Sequence, residues 1–136
     1  MATSFSFPAN FEAYGRVAAE LRRMLEERGI KPRPRHHAEL VFEEIVSNII
    51  RHGTPADSAC VVEVTVDLNA RAIVLDFKDD AKPFDPCSHT VAALPESLEE
   101  ANPGGLGLRL VRKASERIAY ERTPQNRNHL TVTIAQ

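Results

Sequence analysis

The first half of the chain carries two segments in which apolar residues recur at the period of an α-helix. Over residues 11–28, apolar side chains return every three or four positions, which predicts one buried helix face. Asn10 is a suitable N-cap for this helix, and Gly29 is a suitable terminator. A second helix is predicted over residues 35–52. Between the two helices, the proline-rich segment 31–34 is predicted to be a linker, because proline disrupts a helix interior.

The second half switches to the alternation of apolar and polar residues that is typical of strands. Residues 62–68 and 73–77 alternate in this way around a short turn, which predicts an antiparallel hairpin with one covered face. The segments 117–122 and 129–134 predict a second strand pair, and residues 3–7 predict a short edge strand. The order (β)ααββ-loop-αββ predicts an α+β fold, a two-layer α/β sandwich whose mostly antiparallel sheet has its helices on one face.

A long segment without strand or helix periodicity separates the two predicted strand pairs. Residues 80–103 contain four prolines, and a helical turn is expected only around residues 96–101. Loops of this length inside compact domains are usually functional. A run of glycines over residues 104–107 follows and leads into a third predicted helix, which ends near Ser115.

Composition narrows the class of protein. A length of 136 residues predicts a single domain over 1–136, and 43% hydrophobic with 26% charged residues is ordinary for a globular domain. The net charge of −2 gives no reason to expect direct binding to nucleic acid. Cys60 and Cys87 have no metal-site spacing. Because no leader pattern or membrane-length apolar run is present, we expect a cytoplasmic protein without a membrane partner.

Glu44 and Asn48 are the first candidates for chemistry. They stand at i and i+4 of the second predicted helix, so their side chains lie on the same side, one turn apart. A carboxylate there can accept a proton from an attacking hydroxyl, and a carboxamide is a neutral oxygen ligand for a hard cation such as Mg²⁺. Taken alone, such a pair is more often part of a solvated helix edge, because the E-x-x-x-N spacing is common by chance.

Asp79 and the glycine run are the second and third candidates. Strand parity places Asp79 on the inner face, after Phe77, and Asp80 on the outer face. A buried carboxylate needs a partner, and the exocyclic amine of adenine is a suitable donor. Glycine amides at a helix start can hold an anion, although the sequence of residues 104–107 is neither a P-loop nor a Rossmann turn. The three signals together predict an ATP site.

The three stretches resemble the motifs of the GHKL ATPase superfamily, which has a histidine-kinase-like ATPase domain. The resemblance is specifically to the small anti-sigma-factor serine/threonine-protein kinases. Residues 44–53 resemble the N box, E-x-x-x-N-x-x-x-H, and residues 79–86 resemble the G1 box in its D-D-G-x-P-F-D-P form. Residues 104–111 resemble the G2 box, and residues 116–122 together with 128–131 resemble the closing strands. The resemblance covers nearly the whole chain and implies an ATP lid at about 82–104.

The resemblance also implies roles for individual residues, with ATP and Mg²⁺ as cofactors. Glu44 would be the catalytic base, Asn48 would ligate Mg²⁺, and Asp79 would bind adenine. In such proteins the kinase phosphorylates a serine on a STAS-domain anti-sigma-factor antagonist, and as a homodimer it sequesters a sigma factor. The further positions implied in cofactor binding are His52, Ala81, Phe84, Gly104, Gly105, Leu106, Gly107 and Leu108.

Ala81 departs from the motif, which usually has glycine at this position. If the backbone there requires a positive φ, alanine is strained by roughly 1 kcal/mol or more. If only close approach to the nucleotide matters, the methyl group crowds the base. This departure keeps open a nucleotide-binding or degenerate partner-switching adaptor without kinase turnover. A third hypothesis, the catalytic domain of a sensor histidine kinase, requires a phosphoacceptor hairpin that this sequence does not contain.

Overall fold

The computed structural model describes residues 2–53, 60–84 and 103–136. The order of helices and strands agrees with the prediction. Most of the expected lid at 82–104, including the helical turn at 96–101, lies outside the described residues, as does Cys87. In chain order the elements are β1 (Ala2–Pro8), α1 (Phe11–Glu27), α2 (Pro32–Asn48), β2 (Val61–Leu68), β3 (Ala72–Asp79), α3 (Pro103–Ala114), β4 (Arg117–Arg122) and β5 (Asn128–Ala135).

The five strands form one antiparallel sheet in the order β1-β2-β3-β5-β4. The two predicted hairpins are therefore joined through the pairing of β3 with β5. Side chains alternate between a buried inner face and a more exposed outer face, as expected for a sheet that is covered on one side. The α1–α3 layer covers the inner face, so the predicted α+β two-layer sandwich is confirmed.

An aromatic cluster connects the helical layer to the sheet. The ring of Phe42, from α2, lies 6.2 Å from Phe7 of β1, 5.9 Å from Tyr14 of α1 and 6.5 Å from Phe77 of β3. Burial of one such side chain contributes about 1.5–3 kcal/mol. The cluster fixes α2 over the middle of the sheet, and α2 is the helix that carries Glu44 and Asn48.

The ends of α1 agree with the sequence prediction. Asn10 accepts a hydrogen bond through its side-chain oxygen from the Ala13 N–H at 2.8 Å, which caps the helix. After the helix, Gly29 adopts a φ of 71°, a conformation in which a side chain would be strained.

The predicted linker at 31–34 is wrong, because α2 already begins at Pro32. Proline is tolerated in the first turn of a helix, where the missing N–H has no intrahelical acceptor. At its other end, α2 continues as a single π-helical turn over Ile49–Gly53, so the expected end of the helical run near residue 52 is confirmed. Single π turns inside helices are frequent at functional sites.

The helix start at the glycine run also differs from the prediction. The glycines were expected to precede the helix, but α3 begins at Pro103, so residues 104–107 lie within its first turns. The proline again occupies a helix start, where its fixed φ suits the helix. Within the described ranges, no helix is long and apolar enough to cross a membrane.

Candidate functional site

A pocket with an empty volume of about 460 Å³ opens between α2 and the ends of β3 and β5. It brings together Asn48, Asp79, Ala81 and Phe84, which come from two of the three predicted stretches. Its lining is apolar apart from a few polar side chains, as is usual for sites that bind small organic ligands. The lining residues are Ile45, Asn48, Ile49, Phe77, Asp79, Ala81, Lys82, Phe84, Tyr120, Asn128 and Leu130.

Asp79 is the buried acid of this pocket, with 3% of its surface exposed, so its predicted inward position is confirmed. Its Oδ1 accepts hydrogen bonds from Asn128 Nδ2 and from the Ala81 N–H, both at 3.0 Å. Burial raises the pKa of the Asp79 carboxyl above its ordinary value, and the two hydrogen bonds only partly oppose this shift. Because both of these bonds use Oδ1, Oδ2 can accept a hydrogen bond from a ligand as far as the described residues are concerned.

Asn128 holds the turn that follows β3. Its buried carboxamide donates to Asp79 Oδ1 and also to the Lys82 carbonyl at 3.0 Å. Its Oδ1 accepts from the Tyr120 hydroxyl at 2.5 Å and from the Phe84 N–H at 3.3 Å. Both ends of the amide are thus occupied by the protein. Asn128 therefore orients Asp79 and the 81–84 segment and keeps no capacity of its own for a ligand.

Asn128 is a site residue for which the sequence motifs predict no role, although the strand pattern contains a signal for it. Asn128 precedes Leu130 by two residues, so strand parity places it on the inner face, as it did for Asp79. Its partner could not be inferred in this way. Asp79 and Asn128 face each other because β3 pairs with β5.

Ala81 adopts no glycine-like conformation. Among the described non-glycine residues, Asn126 is the one with a positive φ, so the strain considered for Ala81 does not arise. The Ala81 carbonyl accepts a hydrogen bond from Arg122 Nη1 at 2.9 Å, which connects the turn after β3 to β4, two strands away. Ala81 is buried and lines the pocket, so its effect on a nucleotide would come from the space its methyl group takes.

Asn48 reaches the same pocket from the last turn of α2. Its side chain is buried, and its Nδ2 has no hydrogen-bond partner among the described residues. A buried donor without a partner costs about 1–3 kcal/mol. A ligand oxygen in the pocket would remove this cost, so the amide is suited to polar ligand contact.

Glu44 lies one turn before Asn48 and is partly withdrawn from solvent. Burial and the neighbouring charge of Glu43 raise the pKa of the Glu44 carboxyl, while the charge of Arg51 acts in the opposite direction. A carboxylate with a raised pKa is a better proton acceptor near neutral pH than an ordinary glutamate. Glu44 also lies against Gly107 of α3, which brings the N-box helix and the glycine run into contact.

The remaining predicted cofactor-binding positions lie in the π-helical turn after α2 and in α3. The backbone of His52 is in the π-helical turn, and the backbones of Gly104, Gly105 and Leu106 are in the first turns of α3. Leu108 is 3% exposed and packs in the hydrophobic core. Its buried side chain anchors α3 to the core, and Leu108 is not among the residues that line the pocket.

Comparison with known proteins agrees with this geometry. The profile of the histidine kinase-like ATPase domain matches residues 7–134. The serine/threonine-protein kinase BtrW of Bordetella bronchiseptica is 32% identical to this chain over 94 residues. That match covers 69% of this chain and 66% of BtrW, so it spans just under two thirds of the relative.

Two solved structures share the fold. The structure of the RsbU and RsbW domains of Rv1364c from Mycobacterium tuberculosis matches with a TM-score of 0.69 and 16% identity, over 100% of this chain and 33% of that one. In the SiaB–SiaC complex from Pseudomonas aeruginosa, the matching chain gives a TM-score of 0.60 and 19% identity, over 98% of this chain and 89% of that one. The sequence match to nearly all of its residues shows that the chain belongs to the histidine kinase-like ATPase domain family, the GHKL type that its three motifs resemble.

Proposed function

We propose that this protein is an ATP-dependent serine/threonine-protein kinase that phosphorylates a STAS-type anti-sigma-factor antagonist and also sequesters a sigma factor. The observation that carries the proposal is the pocket in which the buried carboxylate of Asp79 and the unpartnered amide of Asn48 meet. The named relative, a serine/threonine-protein kinase, supports the reaction class. We place the whole activity in one domain over residues 1–136, with the lid at about 82–104.

Adenine recognition is assigned to Asp79. The free oxygen of its carboxylate can accept a hydrogen bond from the exocyclic amine of the base, while apolar residues of the pocket cover the ring faces. Asn128 keeps this carboxylate oriented. The remaining cofactor positions, from His52 to the glycines at the start of α3, are proposed to lie along the ribose and phosphates, where helix-start amides favour negative charge.

The donor set at Asn48 fits a magnesium ion bound mainly by phosphates. Mg²⁺ in such sites usually keeps several waters and takes one or two protein ligands besides the phosphate oxygens. The carboxamide oxygen of Asn48 would serve as that ligand, and its unpartnered Nδ2 could donate to a phosphate oxygen. When bound, the ion would neutralise charge on the transferred phosphoryl group.

Glu44 is proposed as the base that acts on the substrate serine. Phosphoryl transfer depends mostly on positioning and charge stabilisation, and the base orients the attacking hydroxyl and accepts its proton. The raised pKa of Glu44 suits this role, because burial and the charge of Glu43 make its carboxylate a stronger base than an ordinary glutamate. The serine oxygen forms the new bond to phosphorus as the bond to ADP breaks.

The decisive experiment incubates the protein with Mg-ATP and a purified STAS-domain protein from the same organism, and reads phosphoserine on the partner by mass spectrometry. We expect Glu44→Gln to lower the transfer rate about 10²–10⁴-fold, the usual contribution of general-base catalysis. Mg-ATP affinity should stay close to that of the wild type, because Glu44 is not among the lining residues of the pocket.

Glu43→Gln is the matched control, since it removes the neighbouring charge on the same helix turn and leaves the proposed base in place. Transfer by Glu44→Gln at the wild-type rate would contradict the assignment of the base. A wild-type protein that binds Mg-ATP but transfers no phosphate would contradict kinase activity itself.

The second candidate function is a partner-switching adaptor of the same fold, either nucleotide-binding or degenerate, without kinase turnover. Ala81 favours it, because this methyl group occupies the pocket wall where the motif has glycine. Calorimetry with Mg-ATP, read together with the phosphate-transfer assay, separates the two functions. Absent binding that is restored by Ala81→Gly supports a degenerate adaptor, binding without transfer supports a nucleotide-binding adaptor, and binding with transfer supports the kinase.

The proposal that the protein binds protein partners is supported by one of the matched structures. The matched SiaB chain was solved in a complex with SiaC, which indicates that this fold can bind a protein partner in that system. We propose a cytoplasmic homodimer that alternates between a sigma factor and the STAS antagonist. Sedimentation of the purified protein, alone and with each partner, tests this arrangement.

A further inference from the structure

Gly107 is buried in α3, and the carboxylate of Glu44 occupies the space where its side chain would be. An ideal Cβ built on Gly107 lies 2.9 Å from Glu44 Cδ and 3.6 Å from Glu44 Cγ, and it overlaps Glu44 Oε2. Gly15, which is also in a helix, has no atom of the described residues within 4 Å of such a Cβ. The contact at Gly107 is thus a specific meeting of α3 with the acidic side chain of α2.

The backbone conformation does not explain why position 107 is glycine. Among the described glycines, Gly29 is the one with a positive φ. Gly107 lies in a regular helix, where alanine is favoured over glycine by about 1 kcal/mol. What glycine offers at this position is space, and the structure fills that space with the Glu44 carboxylate.

We propose that Gly107 is a positioning residue for Glu44: its missing side chain forms the slot that holds the carboxylate at the junction of α2 and α3. This inference rests on the proposed function, in which Glu44 is the catalytic base. It assigns Gly107 a task distinct from flexibility at the end of the lid. The slot links the helix that carries the base to the helix that follows the lid.

The slot also explains how a small substitution could affect catalysis without harming the fold. The colliding atoms belong to the end of a flexible side chain, so a methyl group at position 107 can be accommodated when the Glu44 carboxylate moves away. The surrounding core, which includes Leu108 and Val111, need not shift. A displacement of about 1 Å at a catalytic group can cost on the order of 10²-fold in rate.

The test is Gly107→Ala, with Gly15→Ala as the matched control. We expect Gly107→Ala to retain its melting temperature, while its phosphotransfer rate constant at saturating Mg-ATP falls about 10²-fold or more. Gly15→Ala should transfer phosphate at the wild-type rate. A loss of stability in Gly107→Ala would indicate a merely structural role, and a wild-type rate at saturating Mg-ATP would show that the base is not displaced. Either result would overturn the proposal.

A shorter carboxylate provides a rescue. In Glu44→Asp the carboxyl carbon would fall near the present Cγ, which lies 3.6 Å from the added Cβ, an ordinary contact distance. The double variant Glu44→Asp/Gly107→Ala should therefore be faster than the product of the two single effects predicts. Purely multiplicative effects would show that the two positions act independently and would overturn the proposal.

The contact can also be tested without any catalytic readout. In the wild-type protein, NMR should show nuclear Overhauser contacts between the Gly107 Hα protons and the Glu44 Hγ protons. In the Gly107→Ala variant, the contacts between residue 107 and the Glu44 Hγ protons should be weaker. Their absence in the wild type would refute the slot. Their presence in a protein that transfers no phosphate would support the slot and refute the kinase function, so the two failures are distinguishable.

Discussion

At the scale of single residues, two adjacent carboxyl groups at the end of β3 behave in opposite ways. Asp79 is buried, and burial raises its pKa. Asp80 is exposed, and its hydrogen bonds with the Cys60 thiol and the Val61 N–H lower its pKa. The first group thus costs folding free energy when it ionises, and the second contributes to stability when it ionises. A buried carboxyl group whose ionisation destabilises the folded state is typical of a ligand-binding site.

We predict that Asp79→Asn raises the melting temperature of the free protein at pH 7 by about 2–5 °C. The amide oxygen can keep the hydrogen bonds from Asn128 and Ala81 while the buried charge is removed. Because the folded pKa of Asp79 lies above its unfolded value, wild-type stability falls as pH rises through the folded pKa. The advantage of the variant should therefore shrink as pH falls toward the ordinary carboxyl range near about 4.

Thermal unfolding followed by circular dichroism between neutral and mildly acidic pH measures this effect, and calorimetry should show weaker Mg-ATP binding by the same variant. Asp80→Asn serves as the control of opposite sign, since its lowered pKa means that its contribution is lost as pH falls. If Asp79→Asn is less stable than the wild type at pH 7, the cost assigned to the buried charge is wrong.

At the scale of elements, the two long helices begin in different ways. Asn10 caps α1 through a side-chain hydrogen bond, whereas Lys31 at the start of α2 makes no such bond. The reason is that α2 has few donors left to cap. Pro32 and Pro34 have no N–H, and the Arg35 N–H donates to the Lys31 carbonyl at 3.1 Å. Prolines therefore replace a capping side chain at the start of the helix that carries Glu44 and Asn48.

Because the two helices begin differently, replacing the N-cap residue by alanine should destabilise the protein more at α1 than at α2. Asn10→Ala should cost about 1 kcal/mol and lower the melting temperature by about 3–5 °C. Lys31→Ala should change stability by less than about 0.5 kcal/mol, because no capping bond is lost. Chemical denaturation of both variants measures the difference. Equal losses of stability in the two variants would show that the Lys31 side chain stabilises the start of α2 and would contradict this prediction.

At the scale of the whole molecule, the inner face of the sheet and the helical layer share one continuous core. Phe42 is 1% exposed and lies at its centre, between rings from β1, α1 and β3. The outer sheet face is organised instead by polar contacts, such as the hydrogen bonds of His129 and Thr131 with Asp76 at 2.8 Å and 2.7 Å. The two layers should therefore depend on each other for stability.

We predict that Phe42→Leu lowers the free energy of unfolding by about 1–2 kcal/mol and that all parts of the described core unfold together. Helical circular dichroism and tyrosine fluorescence should give the same shifted midpoint, since Tyr14 stacks on Phe42 at 5.9 Å. The conservative exchange Thr65→Ser on the outer face is the control, and it should leave the midpoint nearly unchanged. Separate transitions for the two signals would contradict a single core.

The sequence alone determined the kinds of elements, their order and the direction in which side chains point. These properties follow from local periodicity, because a period of 3.6 or 2 can be detected within a few residues. Parity therefore predicted the inward position of Asp79, and spacing predicted that Glu44 and Asn48 share a helix side. The proline-rich start of α2 was mispredicted because proline has opposite effects in a first turn and in a helix interior.

Only the tertiary structure decided which distant residues meet. The pairing of β3 with β5 joins Asp79 to Asn128, 49 residues apart. The packing of α2 against α3 brings Glu44 onto Gly107. Such contacts depend on strand register and helix approach, which are set by the packing of the whole core and not by local preference. The motifs could thus predict which residues form a nucleotide site, while the neighbours that hold those residues in position came from the fold.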